Sequence, residues 1–180
     1  MLEHLAKQDF DMIFGLLEAS FPIDEYRSYG EQKALLEDEI YRILVQKEQG
    51  CIRAFAALWD LGDFVYIDHL VVRPEDRSRG LGALILQELL QQAGKPIILE
   101  VEPPEDELCR RRIGFYQRNG FFLNPWPYWQ PPISPGKKSI PLRIMSSGRI
   151  LSPAEFAAVR EKLYSRVYKQ PDFPTKPGSS

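Results

Sequence analysis

The chain between residues 67 and 86 reads Ile67-Asp68-His69-Leu70-Val71-Val72-Arg73-Pro74-Glu75-Asp76-Arg77-Ser78-Arg79-Gly80-Leu81-Gly82-Ala83-Leu84-Ile85-Leu86. Its apolar residues predict a strand that ends at Pro74, and an amphipathic helix that begins near Gly80. The N-terminus of a helix favours an anion such as phosphate, because its N–H groups are unpaired and its dipole is positive there. Since Arg77 and Arg79 add positive charge to the loop, the segment predicts a local anion site.

Two common nucleotide-binding motifs are absent from this loop. A dinucleotide fold requires Gly-x-Gly-x-x-Gly with a later acidic residue, and a P-loop requires Gly-x-x-x-x-Gly-Lys-Ser/Thr. The loop instead contains Arg77-x-x-Gly80-x-Gly82 directly after the apolar strand end. The two glycines allow a ligand to approach the main chain closely. An ordinary strand–turn–helix would contain the same residues, so this loop alone leaves the two interpretations open.

The pattern resembles the pyrophosphate loop of the GCN5-related N-acetyltransferases, the GNAT superfamily. In that family Arg/Gln-x-x-Gly-x-Gly/Ala binds the pyrophosphate of coenzyme A. The resemblance implies acetyl-CoA as cofactor, held mainly by backbone amides of the strand end and the loop. An amide aimed at the thioester carbonyl would also stabilise the negative charge that develops there. The residues implied in cofactor binding are Leu70, Val71, Val72, Arg77, Ser78, Arg79, Gly80, Leu81, Gly82 and Ala83.

A second segment, Phe115-Tyr116-Gln117-Arg118-Asn119-Gly120-Phe121, resembles the family's aromatic-Tyr-x-x-x-Gly-Phe signature. The resemblance implies that Tyr116 protonates the coenzyme A thiolate as it leaves. A phenol with an ordinary pKa of about 10 is a reasonable proton donor to a thiolate. The alternative is that Tyr116 is a packed aromatic residue of an amphipathic helix.

The transfer also requires a group that removes a proton from the acceptor amine, because an alkylammonium has a pKa of about 10.4. A carboxylate does this efficiently only when its own pKa is raised. Glu100 is the first candidate, since it resembles the glutamate base of the ribosomal-protein alanine acetyltransferases. Asp68 is the second, because polyamine and arylalkylamine members carry an acidic or histidine residue there. His69 is the third, since strand alternation points it to the opposite face unless a bulge intervenes.

The acceptor side of the site is implied by the resemblance alone. In GNAT folds the segment around the first two helices and the loop between the last strands enclose the acceptor, which implies contacts from Glu25, Tyr26, Tyr128 and Trp129. Many relatives place an asparagine after the strand that contains Glu100, whereas this chain has the acidic segment 102–107. That difference puts the asparagine contact in doubt and favours a cationic acceptor. The alternative is that the aromatic residues simply pack a proline-rich loop against the sheet.

Apolar periodicity predicts the element order β, α, α, β, β, β, α, β, α, β, β, followed by a helix that starts at Ser152-Pro153. This order predicts an α/β fold of α+β character, with a central mixed sheet and helices on both faces. It is also the order of the GNAT fold. We expect a GNAT domain over residues 1–146, a C-terminal helical appendage over 147–168 and a flexible tail over 169–180. Residues 125–135 are expected to form an irregular loop.

Composition narrows the partners and the compartment. The 180 residues include 23 basic and 25 acidic side chains, so a net charge of −2 gives no general attraction to nucleic acid. The N-terminus lacks an apolar run, which argues against a signal peptide or membrane span. Cys51 and Cys109 lack the spacing of metal ligands, so no metal is expected, and two lone cysteines suit a reducing cytoplasm.

These observations predict an N-acetyltransferase that moves an acetyl group from acetyl-CoA to a primary amine of a small molecule or peptide. Transfer would be direct, in a ternary complex. The alternative is a non-catalytic GNAT-like module that binds acyl-CoA as a sensor or scaffold. The sequence leaves open which amine is the acceptor and whether the acyl group is acetyl or longer. It also leaves open whether the C-terminal helix packs on its own chain or mediates a homodimer.

Overall fold

A computed structural model describes residues 1–176 of the chain. In chain order its elements are β1 (Glu3–His4), α1 (Phe10–Ser20), α2 (Tyr29–Ala34), β2 (Tyr41–Glu48), β3 (Cys51–Asp60), β4 (Val65–Val72), α3 (Leu81–Ala93), β5 (Ile97–Val101), α4 (Glu107–Arg118), β6 (Phe121–Leu123), β7 (Tyr128–Gln130), β8 (Ile140–Ser147) and α5 (Pro153–Lys162). The predicted α/β fold with a mixed sheet is confirmed.

The sheet has the strand order β1-β2-β3-β4-β5-β8-β6, and β7 pairs with β8 outside this path. The pairing of β4 with β5 is parallel, and each of the other strand pairs in the described residues is antiparallel. Helix α3 connects the two parallel strands, as expected for a crossover. The glycine loop therefore lies where β4 leaves the sheet.

Apolar side chains cover both faces of the sheet. One core contains residues of α1 and α5, including Phe10, Leu17 and Phe156. The other contains residues of α3 and α4, including Leu86 and Ile113. Because strand residues alternate between faces, Ile98 belongs to the first core, whereas the neighbouring Leu99 belongs to the second. Glu100 follows on the same face as Ile98, the face that α5 covers.

A bulge in β4 changes this alternation at Asp68. Ala57 of β3 pairs with His69, while the next residue, Leu58, pairs with Ile67, so Asp68 has no partner opposite it in β3. As a consequence, Asp68 and His69 both turn toward the side of α1. This bulge is the exception under which His69 shares the face of Asp68.

Three predicted elements differ from the structure. The expected irregular loop at 125–135 contains strand β7, because Tyr128 and Gln130 pair with the first residues of β8. The apolar pattern predicts a second helix over residues 31–40, whereas α2 ends at Ala34 and continues only as a 3-10 turn, Leu35–Glu37. Helix α5 ends at Lys162 and is followed by a π-helical turn, Leu163–Val167, where a regular helix is expected.

The C-terminal segment packs in the same core as α1, since Phe156, Leu163 and Tyr164 are buried there. Part of the expected tail is also in contact: Phe173 packs against that core, and Gln170 Nε2 donates to the Pro132 carbonyl at 2.8 Å. The rest of that tail, 177–180, lies outside the described residues. The division into a domain, an appendage and a tail stays a prediction. Among the helices of residues 1–176, none is long and apolar enough to cross a membrane.

Candidate active site

A cleft of about 630 Å³ opens where β4 and β5 separate. Their parallel pairing covers only Val65–Ile67 and Ile97–Leu99. Beyond Ile67, the edge of β4 that faces β5 therefore pairs with no strand of the described residues, while the other edge stays paired with β3. The backbone groups of that edge are therefore available to a ligand. The cleft is lined by residues of both predicted motifs and of both strand ends: Asp68, His69, Leu70, Val71, Val72, Arg77, Ser78, Gly82, Glu100 and Tyr116.

The glycine loop forms one end of the cleft. Gly80 precedes α3 with a φ of 77°, a left-handed conformation that glycine adopts without strain. Arg77 Nε donates to the Val72 carbonyl at 3.2 Å, which ties the loop to the end of β4. Asp76 accepts hydrogen bonds from Arg53 at 3.1 Å and from Arg73 at 3.0 Å. Sequence reasoning did not identify Asp76, whose hydrogen bonds with Arg53 and Arg73 hold the loop in place.

The first turn of α3 passes very close to α4. A Cβ atom at Gly82 would lie 3.1 Å from Phe115 Cζ and 3.6 Å from Val72 Cγ2, so a side chain here would displace its neighbours. The loop thus has the small residue that a closely bound pyrophosphate needs, beside an open strand edge and a helix N-terminus. These features fit coenzyme A. The remaining loop residues, Arg79, Gly80, Leu81 and Ala83, belong to the loop and first turn but do not line the cleft.

Tyr116 lines the cleft from α4, and its ring contacts those of Phe115 and Phe121. Burial raises the pKa of its hydroxyl to about 12. The hydroxyl is therefore protonated throughout the neutral range and is a hydrogen-bond donor. Among residues 1–176 no hydrogen-bond partner of this hydroxyl is found, which leaves its proton available to a ligand in the cleft.

Glu100 lies on the opposite wall, on β5. Tyr128 donates to its Oε1 at 2.5 Å, and Tyr168 donates to its Oε2 at 2.7 Å. Burial raises the pKa of Glu100 to about 7, although these hydroxyl groups lower it in part. A carboxyl group with this pKa is a suitable base near neutral pH. The geometry thus agrees with the first of the three candidate bases.

Asp68 is held in a buried ion pair. Arg27 Nη1 lies 2.7 Å from its Oδ2, and both side chains are at most 5% exposed. Trp59 Nε1 donates to the same oxygen at 3.0 Å. Burial by itself would raise the pKa of Asp68, but the Arg27 charge and the hydrogen bonds from Trp59 and Arg27 together outweigh it, and the pKa lies below its ordinary value. Asp68 is therefore a weak base whose geometry suits a structural counterion.

His69 contacts the chain that follows α1. Its Nε2 lies 2.8 Å from the Glu25 carbonyl oxygen, which accepts only, so Nε2 carries the proton. Burial lowers the pKa of His69, so the ring is neutral at pH 7. Phe21 packs edge-on against the ring at 4.8 Å. These contacts fix the wall of the cleft on the side expected for the acceptor.

Of the four residues implied in acceptor binding, one lines the cleft and three do not. Glu25 lines the cleft, and burial together with the nearby Glu102 raises its pKa to about 7. Tyr26 is buried against Phe14 and does not line the cleft. Tyr128 does not line the cleft, and its hydroxyl donates to Glu100 Oε1. Trp129 does not line the cleft either, and its carbonyl accepts a hydrogen bond from Tyr164.

Sequence reasoning missed Arg27, Tyr66 and Tyr168, which hold the two carboxylates. Tyr66 was accessible from the sequence, because it lies two residues before Asp68 on the same strand and so shares its face. No local pattern in the sequence relates Arg27 to Asp68 or Tyr168 to Glu100. A larger depression of about 850 Å³ lies between α5 and the β3–β4 turn, away from every motif residue.

Comparison with known proteins was made on sequence and on structure. Residues 5–121 match the model of a family described as "Acetyltransferase (GNAT) family". The "Putative acetyltransferase YjbC" of Bacillus subtilis (strain 168) is 36% identical over 111 residues, which cover 58% of this chain and 54% of that protein. The match thus spans about half the length of this curated relative.

Two solved structures share the fold. A "Putative acetyltransferase from GNAT family" from Bacteroides thetaiotaomicron superposes with a TM-score of 0.86 and 30% identity, covering 93% of this chain and 98% of that one. The yncA protein of Salmonella typhimurium, solved with its cofactor acetyl-CoA, superposes with a TM-score of 0.60 and 19% identity. That match covers 84% of this chain and 95% of the Salmonella chain.

Proposed function

Because this chain belongs to the GNAT family of acetyltransferases, we propose that it transfers an acetyl group from acetyl-CoA to a primary amine, directly and in a ternary complex. One observation carries the proposal: a single cleft joins the glycine loop, a protonated tyrosine and a glutamate whose pKa is about 7. Acetyl-CoA, the cofactor of the family, supplies an activated acetyl thioester. The residues around it then have three tasks, which are binding, removal of a proton and donation of a proton.

Binding falls to the glycine loop and the open edge of β4. The backbone amides between Arg77 and Ala83 would hold the pyrophosphate, helped by the N-terminal end of the α3 dipole. The edge from Leu70 to Val72 would orient the pantetheine arm and the thioester carbonyl. An N–H group aimed at that carbonyl oxygen would stabilise the negative charge that develops during attack.

Removal of the amine proton falls to Glu100. An alkylammonium with a pKa of about 10.4 is deprotonated in only about one molecule in 2,500 at pH 7. With a pKa of about 7, Glu100 is ionised in about half of the molecules at that pH and accepts protons more strongly than an ordinary glutamate. The proton passes to Glu100, and the nitrogen lone pair forms the new bond to the acetyl carbon.

Proton donation falls to Tyr116. As the carbon–sulfur bond breaks, its electron pair goes to sulfur, and the Tyr116 hydroxyl, which lines the same cleft, would donate a hydrogen bond to it. Since the pKa of Tyr116 is about 12, full proton transfer to a thiolate is less favourable than for an ordinary phenol. We therefore infer that Tyr116 acts mainly by hydrogen bonding to the developing thiolate. The acetylated nitrogen releases its second proton, and the thiolate takes up one proton as it leaves the cleft.

The acceptor is proposed to be a cationic small molecule or peptide amine. Glu25 and Glu102 line the cleft; Arg112 pairs with Glu102 at 3.0 Å, which leaves the Glu25 carboxyl to attract a positively charged group. Two of the residues first implied in acceptor binding, Tyr26 and Trp129, have no part in this proposal, because they do not line the cleft.

The test is Tyr116→Phe, with acetyl-CoA binding measured by calorimetry and thiol release measured across a panel of amines. We expect turnover to fall by about a hundredfold while acetyl-CoA affinity stays nearly unchanged, because the hydroxyl acts in the transfer step. Tyr29→Phe is the matched control, since its hydroxyl bonds to Asp11 outside the cleft.

Equal loss of turnover and affinity in Tyr116→Phe would show that Tyr116 is structural. Absence of acetyl-CoA binding to the folded wild-type protein at millimolar concentration would contradict the proposed function. Binding without thiol release for any amine would favour the non-catalytic acyl-CoA module instead.

A further inference from the structure

Glu100 is held by two tyrosines that do not themselves line the cleft. Tyr128 donates to one carboxylate oxygen at 2.5 Å and Tyr168 to the other at 2.7 Å. Each carboxylate oxygen has about two acceptor positions, so one position on each oxygen stays available to an amine. This arrangement fixes the orientation of the carboxylate without occupying it fully.

Tyr168 is itself supported by a third hydroxyl. Its oxygen lies 3.3 Å from that of Tyr66, and both side chains are buried. Because the proton of Tyr168 is directed at Glu100, the Tyr168 oxygen is free to accept from Tyr66. Tyr66 also lowers the pKa of Glu100 by hydrogen bonding to it, so three tyrosine hydroxyls surround the carboxylate.

The chain around Tyr168 is firmly anchored. Its N–H closes the wide turn after α5 by donating to the Leu163 carbonyl at 3.0 Å. Lys169 then adopts a φ of 57°, and Gln170 N–H donates back to the Tyr164 carbonyl at 2.7 Å. Wide turns of this kind recur at functional sites because they re-aim the side chains that follow.

We propose that Tyr168, supplied by the chain after α5, is a positioning residue of the acetyl transfer, which keeps the Glu100 carboxylate ionised and oriented toward the acceptor amine. This inference rests on the proposed function. It gives the C-terminal segment, which lies beyond the matched residues 5–121, a direct part in the chemistry.

The other ionisable groups around Glu100 come from several elements. Those that influence its charge are Glu25, Tyr66, Asp68, Tyr128 and Tyr168. Asp68 and Glu25 disfavour the ionised form of Glu100, because like charges repel. The hydroxyls of Tyr128 and Tyr168 oppose this effect by hydrogen bonding to the charged carboxylate. Loss of either hydroxyl should therefore raise the pKa of Glu100.

The test compares Tyr168→Phe with Tyr164→Phe. Tyr164 is the matched control, because it precedes Tyr168 by four residues and its hydroxyl donates to the Trp129 carbonyl at 2.6 Å instead of to Glu100. Two quantities are measured: the pH profile of kcat/KM for acetyl transfer, and the titration of the Glu100 side-chain carbon by ¹³C NMR. Glu100→Gln identifies the NMR signal, and circular dichroism checks that each variant folds.

We expect Tyr168→Phe to move both the acidic limb of the profile and the NMR midpoint to higher pH by about one unit, since a hydrogen bond to a charged group has about this effect. The rates of Tyr168→Phe and wild type should converge at high pH, where Glu100 is ionised in both. Tyr164→Phe should leave both midpoints unchanged. Tyr128→Phe, which removes the other donor, should act like Tyr168→Phe and replaces it if that variant does not fold.

Four results would overturn the inference or its basis. Unchanged midpoints in Tyr168→Phe, or equal shifts in Tyr164→Phe, would show that Tyr168 is only structural. A shifted NMR midpoint with an unshifted rate profile would show that Glu100 is not the base. Absence of transfer by the wild-type protein would contradict the proposed function, while the NMR titration still reports separately on the contact between Tyr168 and Glu100.

Discussion

Asp68 and Glu100 are two carboxylates on neighbouring strands whose surroundings give them opposite properties. Burial acts on both and raises the pKa of each. At Asp68 the charge of Arg27 and the hydrogen bonds from Arg27 and Trp59 together reverse this effect, whereas Glu100 receives only neutral hydroxyl groups and keeps a pKa of about 7. The difference explains why Glu100 has the properties of a base and Asp68 those of a counterion.

The first prediction concerns Asp68→Asn. The substitution leaves the Arg27 charge buried without a partner, so we expect the free energy of unfolding to fall by about 3–5 kcal/mol in urea denaturation. Asp63→Asn, which breaks the exposed ion pair with Lys162, should cause no measurable change. A variant Asp68→Asn that keeps wild-type stability but loses turnover would instead make Asp68 the base.

Two irregular elements shape the cleft at the level of strands and helices. The bulge in β4 turns Asp68 and His69 to one face, and the wide turn after α5 precedes the tyrosine that reaches Glu100. A third feature is the close passage of α3 and α4 at Gly82, which sets the distance between the glycine loop and Tyr116. The bulge and the wide turn depart from regular strand and helix geometry, whereas the contact at Gly82 is a close approach of two regular helices.

The second prediction concerns Gly82→Ala. The added methyl group would lie 3.1 Å from Phe115, so we expect a loss of about 1–3 kcal/mol in stability and weaker binding of acetyl-CoA. Gly15→Ala is the control: no atom lies within 4 Å of its Cβ position in α1, and alanine should raise stability by about 0.5–1 kcal/mol. Both effects are measured by urea denaturation, with calorimetry for the cofactor. Equal stabilisation of the two variants would contradict the close contact of α3 and α4.

At the scale of the whole molecule, the sheet separates two apolar cores, and residues of the candidate site lie on both of its faces. The first core packs α1 and α5 on the face of Glu100, and the second packs α3 and α4 on the face toward the glycine loop. Buried ionisable groups between these cores link the stability of the fold to pH.

The third prediction concerns this linkage. An unfolded glutamate has a pKa of about 4.3, and that of folded Glu100 is about 7. Between these two pKa values the folded protein binds more protons than the unfolded chain. The stability that protonated Glu100 contributes is therefore fully present below about pH 4.5 and is lost as pH rises to about 7. Glu100→Gln removes this dependence. We expect its stability to rise relative to wild type between pH 5 and pH 8, by up to about 3 kcal/mol.

Chemical denaturation at a series of pH values measures this difference, and its slope with pH is the readout. Glu155→Gln is the control, because contacts with Arg149 and Ser152 lower the pKa of Glu155 to about 2. Stability from Glu155 is lost only as pH falls below about 4, so its difference from wild type should stay constant between pH 5 and pH 8. A flat difference for Glu100→Gln would show that its pKa is ordinary.

The sequence by itself determined the family, the mixed α/β sheet, the loop from Arg77 to Gly82 and the helix that presents Tyr116. These features follow from local patterns: apolar periodicity defines helices and strands, and glycines and prolines mark where they end. The family motifs are local in the same sense. The expected irregular loop at 125–135 was wrong because pairing of Tyr128 with Leu142 overrode local preference, and the C-terminal helix continues to Val167 but with a π-helical last turn.

Only the tertiary structure decided which of the candidate carboxylates has the properties of a base. Their ionisation depends on neighbours far away in the sequence: Arg27 is 41 residues from Asp68, and Tyr168 is 68 residues from Glu100. Burial and charge act through space, whereas a strand pattern records only which face a residue occupies. The motif thus locates the cleft, and the contacts across the sheet give Glu100 its chemistry.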